Sequence, residues 1–210
     1  MIDTDGEDIR LISELKFEVP SWNQIYDMLV ELSQKIRGCG FNPEVIVGIS
    51  RGGWLPSRVL SDLLENPYIT SVTAEFYVGV YETNCEPRLT QPIPISVFDK
   101  KILLVDDVAD SGRSAMLIRD YLCREGVKEL KILTLYYKPW SKLVPDFYSK
   151  ETSDWIVFPW EIKETLRKLL KKCTETKEPF KNAVSKLIEA GVNKELIEHF
   201  LSELSQHKNP

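Results

Sequence analysis

The sequence predicts an α/β fold: a doubly wound, mainly parallel sheet with a small hood and a C-terminal helical extension. Three observations carry that expectation. The runs Val45–Ile49, Lys101–Val105 and Lys131–Tyr137 are mostly β-branched or otherwise apolar, as strands covered on both faces of a parallel sheet are. Segments with helical spacing alternate with them, the pattern of right-handed βαβ crossovers. After Trp160 the texture changes to charged helical patterns with no strand.

Taken in order, the first ten or so residues read as a loose tail and Leu15–Val19 as a short strand. Ser21 with Gln24 three residues later forms a capping box. Ile25, Leu29, Leu32 and Ile36 then recur at helical spacing, so 22–37 is a helix with one buried face, stopped by Gly38 and Gly40. The strand 45–49 leads into the turn Ser50-Arg51-Gly52-Gly53-Trp54 and a helix over 55–64. A strand follows over Ser71–Val80. Residues 81–95 hold Pro87, Pro92 and Pro94 and read as a loop too long for a simple hairpin, either disordered or functional. The strand 101–105 ends in Asp106-Asp107, and the helix 112–125 stops at Gly126. The strand 131–137 closes at Lys138-Pro139. Helices over 161–172, 180–190 and 194–205 complete the chain. Lys171 and Lys172 suit the negative end of the first of them.

In domain terms, residues 1–162 form the main domain, with its core at about 38–140 and its hood from about 11–21 and 141–162. Residues 163–210 form the helical extension. At 210 residues, the chain suffices for one α/β domain and a small appendage. A formal charge of −5 argues against nucleic acid or acidic lipid as main partner. It leaves room for an anionic small substrate, because backbone amides and a metal hold phosphate on an acidic protein. Cys39, Cys85, Cys123 and Cys173 form no CxxC pair. They are expected to be small buried residues in a reducing cytoplasm rather than zinc ligands or a disulfide framework. No apolar run approaches the ~20 residues of a membrane span. Met1–Arg10 is acidic and lacks the basic and apolar regions of a signal peptide.

Ligands of open parallel sheets sit beyond the carboxyl ends of the strands, and three strand ends here are unusual. Two adjacent carboxylates, Asp106 and Asp107, are costly to desolvate unless hydroxyls or a cation meet them. They suit vicinal sugar hydroxyls and a hydrated Mg²⁺. The small residues from Ala109 to Ser114 lead into a helix N-terminus, where backbone N–H groups and the helix dipole favour a phosphate. Ser111 and Ser114 add hydroxyl donors. Strand, acidic pair, small-residue loop and helix together describe a holder for ribose 5-phosphate.

The string Val105-Asp106-Asp107-Val108-Ala109-Asp110-Ser111-Gly112-Arg113-Ser114 resembles the signature with which type I phosphoribosyltransferases bind phosphoribosyl pyrophosphate (PRPP). Ser50-Arg51-Gly52-Gly53 is similar to their pyrophosphate loop. Lys138 and the string Trp155-Ile156-Val157-Phe158-Pro159-Trp160-Glu161 match, in order and rough spacing, the xanthine-guanine and hypoxanthine-guanine branch. The resemblance covers roughly residues 17–162.

It implies a Mg²⁺-dependent transferase that joins a 6-oxopurine to PRPP, commonly as a homodimer or homotetramer. Asp106 and Asp107 would take the ribose hydroxyls, partly through the metal, and Ala109 to Ser114 the 5′-phosphate. Ser50 to Gly53 would take the pyrophosphate, with a non-proline cis peptide near Ser50-Arg51. Asp110 would act as general base or acid at purine N7, and Lys138 would donate to O6, which excludes a 6-amino purine. Trp155 would stack on the purine and Ile156 would line its pocket. Glu161 would hold a metal-bound water.

Plainer alternatives stand beside these roles: a surface lysine, a core tryptophan and a first-turn helix acid. Tyr81 heads the loop expected to close over the site, but Val80 replaces a serine common in relatives, and Arg88 in that loop is a candidate for pyrophosphate. Arg113 replaces a residue usually small. No GxxxxGK[ST] or GxGxxG is present, which sets aside P-loop and dinucleotide folds. The rivals are a transferase for another base, and a regulator that binds PRPP without catalysis. The −5 charge and the intact Asp110 and Lys138 count against the regulator.

Overall fold

The structure, a computed structural model, describes residues 14–77 and 86–206. Its chain divides into two compact units, one of residues 25–153 and one that joins 14–24 to 154–206.

In the larger unit, the apolar runs read from the sequence become the centre of a six-stranded sheet. The strands are β2 (Val45–Ser50), β3 (Ile69–Tyr77), β4 (Glu86–Gln91), β5 (Lys101–Ala109), β6 (Glu129–Tyr137) and β7 (Phe147–Glu151), in the order β4-β3-β2-β5-β6-β7. All pairs are parallel except β3 with β4. Side chains alternate between faces along each strand. Val45, Val47, Ile49, Ile102 and Leu104 pack with Ala115, Ile118 and Leu122 of helix α3 (Arg113–Arg124). The alternate positions Ile46, Leu103, Val105 and Leu133 are just as buried. Buried apolar residues on α1 (Trp22–Gly38) and α2 (Trp54–Leu63) supply further core. The doubly wound, mainly parallel fold expected from the sequence is thus present.

The chain leaves β2 toward β3 on one side and returns as β5 on the other, so the switch point of the sheet lies between β2 and β5. Gly48 is in register with Val105, and Ala109 with Tyr137. The ends of β2, β5 and β6 therefore stand side by side.

The smaller unit pairs β1 (Phe17–Glu18) with β8 (Trp155–Ile156) in parallel. Helices α4 (Ile162–Thr176), α5 (Phe180–Glu189) and α6 (Lys194–Gln206) close over this ribbon. Leu166, Leu169, Ala183, Leu187 and Ile197 form one apolar cluster with Val157, and Leu15, Phe17, Val19 and Trp155 pack on it. The three helices are thus continuous with the hood ribbon, whereas the sequence sets them apart as an extension from residue 163. Residues 141–153, expected in the hood, lie with the larger unit.

Other expectations need correction. Residues 86–91, read as loop, are the edge strand β4, in register with β3 from Tyr77↔Glu86 to Thr73↔Gln91. Pro87 concealed it, yet an edge strand tolerates proline because one side of its backbone has no ladder to complete. A further short edge strand, β7, lies beside β6 where the sequence predicts none. The first C-terminal helix runs on to Thr176. Cys173 is buried, but Cys39 and Cys123 are exposed free thiols, against the expectation of buried cysteines. Cys85, Val80 and Tyr81 lie outside the described residues. Among the described residues no helix is long and apolar enough to cross a membrane.

Candidate active site

The turn after β2 is tight. The Ser50–Arg51 peptide is cis, as the resemblance implied, and the Gly53 N–H donates to the Ile49 carbonyl at 2.8 Å. Neither glycine in the turn has room for a side chain. A Cβ on Gly52 would stand 2.1 Å from Asp107 Oδ2, and one on Gly53 would stand 2.1 Å from the Val105 carbonyl oxygen. The bare backbone here is what lets the β2 turn and the acidic end of β5 touch.

At the end of β5, Asp107 is 9% exposed, and its Oδ1 accepts the Val108 N–H at 2.8 Å. Asp106 Oδ1 accepts the Asp107 N–H at 3.0 Å. Burial first, and the neighbouring Asp107 charge second, push the Asp106 carboxyl well above the usual carboxylate range. The backbone N–H groups of Asp107 and Gly53 pull in the opposite direction. A cation or several hydroxyls arriving there would favour the charged form of Asp106. Among the described residues no group of three or more His, Cys, Asp or Glu side chains converges on a metal position. Asp106 and Asp107 are the acidic residues at this strand end, and a carboxylate pair is chemically suited to Mg²⁺. That ion keeps waters and is often held by one or two carboxylates plus substrate phosphate oxygens.

Beyond the pair, Ala109 is buried and Asp110 exposed. Gly112 adopts φ 74° at the start of α3, a left-handed turn that glycine makes without cost. The Ser111 hydroxyl accepts the Arg113 N–H at 3.4 Å. Arg113 and Ser114, both partly buried, begin the helix, whose first N–H groups have no carbonyl of their own helix to bond. An anion placed there would meet backbone donors and the positive end of the helix dipole.

Lys138 follows β6 and is only 6% exposed, so it is no surface lysine. Its backbone N–H donates to the Ala109 carbonyl at 3.1 Å, which sets it directly beside Asp110. Trp140, unassigned in the sequence, bonds Asp110 Oδ1 through its indole N–H at 2.8 Å. Its ring centroid lies 5.4 Å from the Lys138 ammonium.

The structure thus brings Ser50 to Gly53, Asp106 to Ser114 and Lys138 together at one edge of the larger unit. Arg88 is exposed on β4, in register with Glu75, and is a strand residue rather than part of a loop. Trp155, Ile156 and Glu161 belong to the smaller unit. Trp155 is partly buried, with its ring centroid 5.9 Å from that of Phe17, and Ile156 is buried. Glu161 precedes α4, and its Oε1 accepts the Phe158 N–H at 3.5 Å.

The phosphoribosyl transferase domain family matches residues 21–165. Xanthine-guanine phosphoribosyltransferase of Gluconobacter oxydans is 34% identical over 119 residues, 55% of this chain and 67% of that one. The protein of the same name from Cereibacter sphaeroides is 31% identical over 159 residues, 73% of this chain and 91% of that one. Among solved structures, the purine phosphoribosyltransferase of Pyrococcus horikoshii superposes with a TM-score of 0.64 at 35% identity. That match covers 70% of this chain and 94% of the other.

Proposed function

The chain belongs to the phosphoribosyl transferase family, and on that premise we propose that it is a purine salvage enzyme. It joins hypoxanthine, guanine or xanthine to PRPP, releases pyrophosphate and yields the nucleoside monophosphate. The observation that carries this reading is the buried Lys138 beside Asp110. An ammonium held out of water has three N–H donors and no acceptor, so it matches a 6-oxo group and rejects a 6-amino group.

In this reading N9 of the base attacks C1′ of the ribose, and the C1′–O bond to pyrophosphate breaks with its electron pair leaving on oxygen. Asp110 accepts the hydrogen bond, and then the proton, at N7. Asp106 and Asp107 take the ribose hydroxyls. The loop from Ala109 to Ser114 takes the 5′-phosphate, and Ser50, Arg51, Gly52 and Gly53 take the pyrophosphate. Asp106 and Asp107 would hold a Mg²⁺, which would supply charge neutralisation for the departing pyrophosphate. Trp155 and Ile156 are assigned to the purine ring, and Glu161 to a metal-held water, on the sequence string alone. A homodimer or homotetramer and a cytoplasmic location complete the proposal.

The test offers purified protein PRPP, Mg²⁺ and each of hypoxanthine, guanine, xanthine, adenine, uracil and orotate. Turnover is expected for 6-oxopurines only. Asp110→Asn should lower it by ~10²–10⁴-fold, and Lys138→Ala should lower kcat/KM by roughly 10–100-fold. Turnover of adenine or a pyrimidine would overturn the role of Lys138. PRPP binding without turnover of any base would favour a PRPP-sensing regulator.

A further inference from the structure

The loop after β5 does not stand alone. Four consecutive residues, from Ala109 at the end of β5 to Gly112, are met by the turn that follows β6. The Ala109 carbonyl accepts the Lys138 N–H at 3.1 Å, and the Ser111 carbonyl accepts the Lys142 N–H at 3.1 Å. Between them, Asp110 Oδ1 accepts the Trp140 indole N–H at 2.8 Å. Gly112 lies so near that an added Cβ would stand 2.7 Å from Ser141 Oγ and 2.9 Å from Leu143 Cβ. The turn is closed by the Ser141 N–H on the Lys138 carbonyl at 2.9 Å, and Leu143 anchors it in the core at 6% exposure.

One side chain in this splint touches both groups assigned to the purine. Trp140 bonds Asp110, and the Lys138 ammonium lies 5.4 Å from its ring centroid, within cation–π range. Among the described residues no other group hydrogen-bonds to the Asp110 carboxylate. Trp140 is 48% exposed, so filling the core is not its main work.

We propose that Trp140 is a positioning residue of the purine site. Its indole N–H fixes the Asp110 carboxylate through Oδ1 and leaves Oδ2 for N7, while its ring steadies the ammonium that reads O6. The inference deepens the proposed purine reading and rests on it for the identity of the ligand. The bond between Trp140 and Asp110 is independent of that identity.

The test uses Trp140→Phe, which removes the N–H donor and keeps an aromatic face, in both the wild-type and the Asp110→Ala background. The readout is binding of hypoxanthine and of PRPP, each alone, by calorimetry, which needs no turnover; the free base is used because its N7–H can donate to the carboxylate. Trp140→Phe should weaken hypoxanthine roughly tenfold and leave PRPP unchanged. In the Asp110→Ala background the same substitution should change hypoxanthine binding little, because the two residues act as one unit. Equal weakening in both backgrounds, or equal weakening of PRPP, overturns the proposal.

A second measurement stands apart from the purine reading. The Trp140 indole N–H resonance, identified by its loss in Trp140→Phe, should move in Asp110→Ala and move far less in Asp110→Asn, which keeps a carbonyl acceptor. A resonance indifferent to Asp110→Ala overturns the positioning role. A resonance that moves in a protein that binds PRPP but no purine base overturns the purine site instead.

Discussion

Gly52 and Gly53 are neighbours, yet enlarging them should fail in different ways. A Cβ on Gly52 meets the Asp107 carboxylate, a side chain that can swing aside. Gly52→Ala should therefore fold, with thermal stability near wild type, and lose PRPP binding because Asp107 is displaced. A Cβ on Gly53 meets the Val105 carbonyl and the Ile49 backbone, which cannot move without the sheet. Gly53→Ala should cost ~1–3 kcal/mol or more of stability, the range for overpacking, read by thermal melting. Asp106→Asn makes the opposite trade. Its carboxyl is held well above the usual range by burial and by Asp107, so the folded state retains a proton that the unfolded chain releases. That site costs stability as pH rises past the unfolded value, and the cost is full once pH exceeds the folded one. Asn removes the cost, so the melting temperature of the unliganded protein should rise at neutral pH while Mg²⁺-dependent PRPP binding falls. A melting temperature that drops on this substitution contradicts the account. These strings were legible in the sequence because each is contiguous and its chemistry is local. Trp140 was not, because its partner Asp110 lies 30 residues away and nothing in the spacing announces the pairing.

At the scale of elements, the central strands were readable because burial on both faces leaves an unbroken apolar run. The capping box was readable too. The Ser21 N–H donates to Gln24 Oε1 at 2.8 Å, and the Gln24 N–H donates to Ser21 Oγ at 3.2 Å. Edge strands β4 and β7 were not, since a half-exposed strand carries a weaker pattern and Pro87 argued against one of them. What ties β7 on is Asp146, just ahead of it. Its Oδ2 accepts the Ile132 N–H of β6 at 2.8 Å, and its Oδ1 meets the Lys131 ammonium at 3.0 Å. Asp146→Ala should cost about 1–3 kcal/mol in a urea titration, mainly by orphaning the Ile132 N–H. The partly exposed ion pair adds less. The hydrogen bond and charge of Asp146 raise the Lys131 pKa above its ordinary 10.5. That contribution is complete below the ordinary value and is lost as pH rises through the raised one. Wild type and Asp146→Ala should therefore differ by a constant amount between about pH 6 and 9, and the gap should narrow only in strong alkali. Asp146→Asn, which keeps a carbonyl acceptor, should sit between them.

At the scale of the molecule, the last quarter of the chain, expected as a helical extension, supplies the core of the smaller unit. Charged helices after Trp160 looked like an appendage because their polar faces dominate the sequence, whereas the apolar stripes that matter are spaced three and four residues apart. Those stripes meet the hood ribbon. Leu166, Leu169, Ala183 and Leu187 are all 0% exposed, as is Val157 immediately after β8. The Lys186 ammonium donates to the Leu15 carbonyl at 3.1 Å, which fastens α5 to the chain just ahead of β1. Lys163 of α4 bonds Glu203 of α6. A two-residue ribbon such as β1–β8 buries too little to stand by itself, so α4 to α6 are its core rather than its ornament. Ending the chain after Glu161 would leave Val157, Phe17 and Trp155 without their cover, and the product should aggregate or expose its tryptophans. Leu187→Ala asks the same question without removing chain. It should cost about 2–5 kcal/mol, read by denaturation followed through tryptophan emission, and at a temperature where the variant stays folded PRPP binding should persist. If Leu187→Ala instead abolished PRPP binding in a fully folded protein, the helices would have a part in the site itself. If truncation left a folded, soluble chain with unchanged tryptophan emission, the smaller unit would owe its stability to something other than this cluster.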